Sequence, residues 1–447
     1  MQKKKVLPIV VMIASVSLIL AGCGNQQTET PTAKATSAQE MKETAAPTAS
    51  NSQKQDIKLT AMTWDSGEGL ALEQKMMDAY TAQHPNVKIE LQSVVQGYDE
   101  KLNILNASGE TPDIFLMWNT PQFADSGVAE DLTPYIKKDN FDMSIYYDVV
   151  GAWAKYRDKI YGLPKDFTPR VIFYNKKVFD NANVPYPKDG WTWDEFADTV
   201  KKLSNGKKGK DAQYGFIALS SQTYQLAGYL WSNGGSEVSP DGTTASGYVD
   251  SPAVVETVKW YKKIFDMSAR SLIATGEGNP GNAEFMSGKV AMMDNGSWPL
   301  ADLTKDPNFQ FGMVTPPVPK AGMQFKPVVH SSTWSMFAKS KNKDAAWDVI
   351  KFLGGPEVSK INSGSGYSPS AIKSVAAELK QDQGVMKPLF DVMKLPTNVP
   401  EFTKNPRFFE ADAEFGKASE KIFLNNEDPQ KTLSEAAKEM DKILKKK

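Results

Sequence analysis

The sequence predicts an α/β fold in which mostly parallel sheets are flanked by helices, divided over more than one compact body. Three observations carry that expectation. Between Ile57 and Met117, alternating apolar residues and helically spaced ones succeed each other as strand, helix, strand, helix, strand, an order that implies parallel pairing and right-handed crossovers. The chain has 447 residues, too many for one typical core and enough for two lobes with further segments. The stretch from Glu284 to Trp298 then repeats the theme: a helix end, a short apolar strand, a turn and a helix start within fifteen positions.

In chain order, Lys3-Lys4-Lys5 precede an apolar run from Val6 to Ala21. The run is too short and too lysine-flanked for a membrane span and has the form of a secretory signal. Leu20-Ala21-Gly22-Cys23 closes it. Small residues ahead of a cysteine match the bacterial lipobox, whose cysteine carries a diacylglycerol thioether and becomes the mature N-terminus. Residues 1–22 are thus expected to be a lipoprotein signal peptide and Cys23 a lipidated anchor, palmitate included; two chains hold where one is marginal. Residues 23–56 are rich in Thr, Ala, Ser, Gln, Pro, Lys and Glu and cannot repay the entropy of folding, so they read as a tether. A tether suits a cell without an outer membrane, which points to a Gram-positive bacterium and the extracellular face of its membrane.

The first strand ends in Thr63-Trp64-Asp65. A helix from Leu70 to His84 follows, with Leu72, Met76 and Tyr80 at four-residue spacing and Pro85 as its stop. Val87 to Val94 and Pro112 to Met117 are the next strands, separated by a helix from Tyr98 to Ala107. The third strand ends in Trp118-Asn119. Ligands gather beyond the carboxyl ends of strands in open sheets. An indole beside a hydrogen-bonding group there suits a saccharide, which offers an apolar face and a rim of hydroxyls. Trp64, Asp65, Trp118 and Asn119 are therefore candidate ligand contacts.

Thr192-Trp193-Asp194-Glu195 is a capping box opening a helix through Leu203, which makes Trp193 a packing residue. Tyr214 to Leu219 reads as a strand. The helix from Tyr224 to Trp231 ends at Asn233-Gly234-Gly235, so Trp231 and Asn233 are candidates to face a cleft. In the central stretch Gly288 closes a helix in the left-handed conformation and Lys289 to Met293 is a strand. Asp294-Asn295-Gly296 is turn chemistry, and Ser297 caps a helix entered at Pro299. Trp298 then stands where a strand gives way to a helix, as a platform for a ligand. Phe309 to Val314 and Val328 to Phe337 read as strands, and Lys343 to Leu353 as an amphipathic helix.

The run Phe285-x-x-Gly288-Lys289-x-Ala291-Met292-x-x-x-Gly296-x-Trp298 resembles the signature of family 1 extracellular solute-binding proteins, the sugar-binding components of ABC importers related to maltose-binding protein. Pro112-Asp113-Ile114-Phe115 and Asp131-Leu132-Thr133-Pro134-Tyr135 also match that family. The resemblance implies a type II periplasmic-binding-protein-like fold, two lobes joined by several hinge crossings. It places the crossings at Tyr161 to Lys176, at Ser331-Ser332-Thr333-Trp334 and at Gly364 to Pro369. The implied lobes are 57–167 with 331–366 and 168–330 with 367–447. By the same resemblance the Trp of the signature stacks on a sugar ring, with Asp294 beside it. Lys165, Asp166 and Arg170 reach the ligand from the first crossing, Trp334 stands at the hinge and Tyr367 borders the ligand; Arg407, ahead of the last long helices, offers either a bidentate donor from the second lobe or a salt-bridged surface residue.

Composition narrows the functions. Lys and Arg total 52 against 53 Asp and Glu, which argues against a nucleic-acid partner. Cys23 is the single cysteine, and His84 and His330 are the two histidines. Internal disulfides, thiol-histidine catalysis and a Cys/His zinc cluster are thereby excluded. No cofactor and no metal site is expected, although a carboxylate calcium site stays open. The leading expectation is a monomeric, non-enzymatic receptor that closes two lobes on a carbohydrate and presents it to ABC permease subunits. The rivals are a secreted hydrolase, which needs two carboxylates across a scissile bond and would draw on Asp65, Glu68 and Asp294, and a sensor coupled to a membrane kinase.

Overall fold

The computed structural model describes residues 56–446 apart from 208, 219–222, 271–280 and 396–402. The expected signal segment, Cys23 and the tether lie outside the described residues. Strands β1 (Ile57–Thr63), β2 (Val87–Ser93) and β3 (Ile114–Met117) alternate with α1 (Gly67–Gln83) and α2 (Tyr98–Ser108). β1 pairs in parallel with both β2 and β3. A short helix, α3 (Thr120–Asp125), follows. A hairpin of β4 (Lys155–Tyr156) and β5 (Lys159–Ile160) precedes β6 (Gly162–Pro164), β7 (Thr168–Pro169) and β8 (Val171–Asn175). The remaining strands are β9 (Ile217–Ala218), β10 (Ala269–Arg270), β11 (Met292–Asn295), β12 (Phe311–Val314), β13 (Val329–His330) and β14 (Thr333–Met336).

These strands form two five-stranded sheets, β2-β1-β3-β14-β6 and β10-β9-β11-β8-β12, with β7 and β13 as a separate antiparallel pair. The parallel pairs are β1 with β2 and β3, and β9 with β10 and β11. β8 and β14, laid down as the chain enters each sheet from the other, run antiparallel to both of their neighbours. Entry from outside the sheet needs no crossover helix, so nothing imposes parallel pairing there.

The central strands of each sheet are buried on both faces, with alternate residues entering different cores. In β3, Ile114 and Leu116 join the core under α1 and the helix Lys343–Leu353, while Phe115 and Met117 pack toward Tyr98 and Leu102 of α2. In β8, Ile172 faces a core that includes Trp193, Trp260 and Phe415, whereas Val171 and Phe173 face Phe390 and Leu389.

Local signals read true where the chemistry is local. The Thr192 capping box is formed, with both reciprocal hydrogen bonds. Gly288 has φ +77° behind the helix Asn282–Met286. Trp193 and Trp260 stack on each other, 4.3 Å between ring centroids. Other expectations shift. Val328 to Phe337 is two strands, broken at Ser331-Ser332 where the chain leaves β13 for β14. The strand of the central stretch begins at Met292. Ser297 is no side-chain cap: the helix Leu300–Leu303 starts at Pro299 without one, and the Ser297 amide donates to Thr168 Oγ1 instead. Among the described residues no helix is long and apolar enough to cross a membrane.

Candidate functional site

A cavity of about 480 Å³ opens beyond the carboxyl ends of β1, β3, β6 and β11, with wall residues from the segments that follow those strands and from the β7–β13 pair. Four aromatic side chains line it: Trp64, Trp118, Trp298 and Tyr367. Each is half-buried, which leaves a ring surface uncovered. Trp64 is braced edge-on by Tyr98 at 5.2 Å, and the Tyr98 hydroxyl donates to the carbonyls of Met62 and Leu116, fixing it between β1 and β3. Trp118 Nε1 donates to Asp99 Oδ1 at 3.3 Å, and its ring meets Phe409 at 4.5 Å. Burial pushes the Asp99 carboxyl up to about 6, against the opposing bond from Trp118.

Trp298 is seated by the absence of a side chain. A Cβ on Gly296 would stand 2.2 Å from its ring and 2.5 Å from Thr168 Oγ1. Gly69 serves Tyr367 in the same way, since a Cβ there would lie 2.7 Å from the Tyr367 hydroxyl. In both places glycine is required for space, with no left-handed backbone involved.

The polar wall is organised by the chain crossing between sheets. Lys165 Nζ donates to Asp65 Oδ2 at 2.9 Å and to Glu73 Oε1 at 2.5 Å, all three side chains being buried or nearly so. Burial works against the Lys165 charge, but Asp65 and Glu73 outweigh it and hold the ammonium well above its ordinary value. Burial likewise works to raise Asp65; the Lys165 charge and hydrogen bonds prevail and keep it below the ordinary carboxylate range. Asp166 is where three crossings meet. Its carboxylate accepts from Ser332 Oγ, its carbonyl from Ser331 Oγ, and its backbone bridges to Ser370. Burial raises its carboxyl, with Lys165 and Ser332 opposing. His330 is driven down to about 3, by burial first and Arg170 second, and is neutral at physiological pH.

Of the fourteen residues expected to touch a ligand, Trp64, Asp65, Trp118, Lys165, Asp166, Trp298 and Tyr367 line this cavity. The other seven stand elsewhere, each for a physical reason. Asn119 is the N-cap of α3, its carboxamide oxygen accepting from the Gln122 amide. Arg170 and Asp294 form a buried ion pair, with Arg170 Nε 2.8 Å from Asp294 Oδ1 and the Tyr229 hydroxyl on Oδ2. Trp231 is a core residue whose Nε1 donates to Glu237, and Asn233 ties a helix end to the Ala253 carbonyl. Trp334 is fully buried in the middle of β14. Arg407 precedes the helix Phe408–Asn425 and pairs with Glu410 in solvent. Lys165 lines the wall, as the crossing implied. Ser66, Val95, Thr168, Ser297, His330, Ser331, Ser332 and Ser368 complete it.

Residues 63–360 match the family model described as bacterial extracellular solute-binding protein. The chain belongs to this family. Among its relatives, the galactooligosaccharide-binding protein of Bacillus subtilis (strain 168) is 24% identical over 456 residues, covering 98% of this chain and 97% of that protein. The sn-glycerol-3-phosphate-binding periplasmic protein UgpB of Yersinia enterocolitica is 26% identical over 348 residues, covering 72% of this chain and 76% of its own. The ABC substrate-binding protein Lmo0181 from Listeria monocytogenes, solved in complex with cycloalternan, superposes with a TM-score of 0.75 at 24% identity, over 87% of this chain and 98% of that one. The type II two-lobe fold of solute-binding proteins is therefore the fold of this chain, and the cavity lies between its two sheets.

Proposed function

We propose that this solute-binding protein is the receptor of an ABC importer for a neutral, short saccharide, tethered through a lipidated Cys23 to the outer face of a Gram-positive cell membrane. The lobes divide as 57–167 with 331–366 and 168–330 with 367–447, and the partners are the permease subunits and the lipid bilayer. The observation that carries this reading is the set of four half-exposed aromatic side chains lining one cavity, Trp64 and Trp118 beyond strands of one sheet, Trp298 beyond a strand of the other, and Tyr367. Such faces cover the apolar side of a sugar, and Asp65, Asp166 and the serines offer partners for its hydroxyls. A ligand touching both lobes stabilises the closed form, because the open form cannot make both sets of contacts.

Charge separates a saccharide from a phosphate ester such as the glycerol phosphate of UgpB. Among the described residues of the wall the cation is Lys165, already held by two carboxyl groups, and His330 is neutral. An anionic phosphate would meet Asp65 and Asp166 with no spare positive partner. The hydrolase alternative is disfavoured because the carboxylates it drew on, Asp65, Glu68 and Asp294, do not meet in the cavity. Asp294 is locked under Arg170 and Tyr229, and Glu68 pairs with Lys305 on the surface.

Thermal-shift titration with galactooligosaccharides, mannooligosaccharides and glycerol 3-phosphate tests the reading. A neutral oligosaccharide at a hundredfold its Kd stabilises by about 2.7 kcal/mol, and glycerol 3-phosphate produces no shift. Trp298→Ala abolishes the oligosaccharide shift while leaving the ligand-free melt in place. Reducing sugar accumulating during incubation would overturn the receptor assignment.

A further inference from the structure

We infer that Glu73, a residue outside the cavity wall, is the positioning residue that stores a proton behind Asp65 and so keeps the cavity-facing carboxylate ionised and fixed for ligand hydroxyls. The inference rests on the saccharide-receptor reading.

The geometry supplies one ammonium for two carboxyl groups. Lys165 Nζ bonds both Asp65 and Glu73, and the side chains of Lys165, Asp65 and Glu73 are only 4, 13 and 0% exposed. Two ionised carboxylates against one lysine would leave a net negative charge buried, which is costly, and the usual relief is that one carboxyl keeps its proton. Glu73 is the one to keep it. It is the deeper of the two, and its Oε2 is fully buried with no donor directed at it. A carboxylate oxygen in that position lacks a partner, whereas a protonated Glu73 has the Asp65 carboxyl, bound to the same ammonium, as the neighbouring acceptor.

The electrostatics agree in direction. Burial, with Asp65 adding to it and Lys165 opposing, pushes Glu73 up to about 8 while Asp65 is depressed. The other groups facing the cluster do not reverse this. Tyr98 and Tyr367 are both raised by burial and stay neutral, and Asp166 interacts with Lys165 from the crossing. The protonated Glu73 therefore accepts from Lys165 through Oε1 and donates to Asp65, and it holds both side chains at the wall without a net charge.

Two readouts test this. In ligand-free protein, a carboxyl whose folded pKa of about 8 lies above its ordinary 4.5 contributes stability that is complete below the lower value and is lost as pH rises through the upper one. The melting temperature of Glu73→Gln, an uncharged mimic of the protonated acid, therefore gains on wild type as pH climbs from about 5 to about 9. A difference flat across that range overturns the stored proton. The second readout is affinity for the best binder among mannobiose, galactobiose and diacetylchitobiose. Wild type weakens above about pH 8, Glu73→Leu loses about tenfold at pH 7, and Glu73→Gln restores most of that loss and removes the alkaline break. A break that persists in Glu73→Gln, or no loss in Glu73→Leu, overturns the positioning role. Binding of none of the three sugars at any pH, with the melting difference present, overturns the receptor reading and the positioning role with it, while the stored proton stands.

Discussion

Two buried charge clusters flank the crossing, built around cations five positions apart in sequence, and they are constructed differently. Among the described residues Arg170 pairs with the carboxylate of Asp294. Its fork takes Asp294 Oδ1 and the Asp294 carbonyl, and Tyr229 fills the second carboxylate oxygen. Every strong acceptor there is spoken for by protein, and none of the three residues lines the cavity. Lys165 meets two carboxyls, one of which, Asp65, opens onto the cavity. A guanidinium with a matching planar partner makes a closed structural joint, whereas a compact ammonium shared by unequal carboxyls leaves capacity for a ligand.

Substitution separates the two. The largest effect is expected for Lys165→Met, which strands two buried carboxyl groups: about 3–5 kcal/mol of stability is lost, and saccharide binding goes with it. Denaturant titration and calorimetry read the two together, and unchanged affinity in the folded fraction would erase the distinction drawn here. Arg170→Leu carries a similar cost of about 3–5 kcal/mol for the abandoned Asp294, but the molecules that fold bind within about threefold of wild type, a difference of roughly 0.6 kcal/mol. A smaller effect is expected for Gly296→Ala. Its new methyl displaces the Trp298 ring, lowering affinity about tenfold, or roughly 1.4 kcal/mol, with little change in melting temperature. Smallest is Glu68→Ala. The Glu68–Lys305 pair spans from α1 to the segment behind the helix Leu300–Leu303 at 2.7 Å, but both partners are exposed and screened. Its loss should be undetectable in high-salt titration, and a clear loss there would reveal a third functional cluster.

How much of this could be read beforehand depends on the range of the interactions. The βαβαβ unit, the Thr192 capping box and the Lys343–Leu353 helix are written in spacings shorter than a few turns, and they stand where expected. Trp64, Trp118 and Trp298 were legible because each follows a strand, and strand ends converge on the cavity. Trp231 and Trp334 were not, because an indole on a helix or within a strand can face either side, and here both face the core. Asn119 carries a signal that points the other way: an Asn ahead of Thr-Pro is cap chemistry. Glu73 was readable too. With Met76, Met77 and Tyr80 it completes an i, i+3, i+4, i+7 stripe, and a carboxylate in such a stripe asks for a buried partner. The Arg170–Asp294 pair joins residues 124 positions apart, and no local pattern announces it.

Asp166 is fastened to all three crossing segments at once. A point on an axle travels least when the arms swing, so whatever grip Asp166 has on a passenger is nearly the same with the arms apart or together. Such a grip admits the passenger without favouring either posture. Shutting is then favoured only by contacts that reach both arms at once, and a molecule too short to make them would be held yet leave the arms ajar.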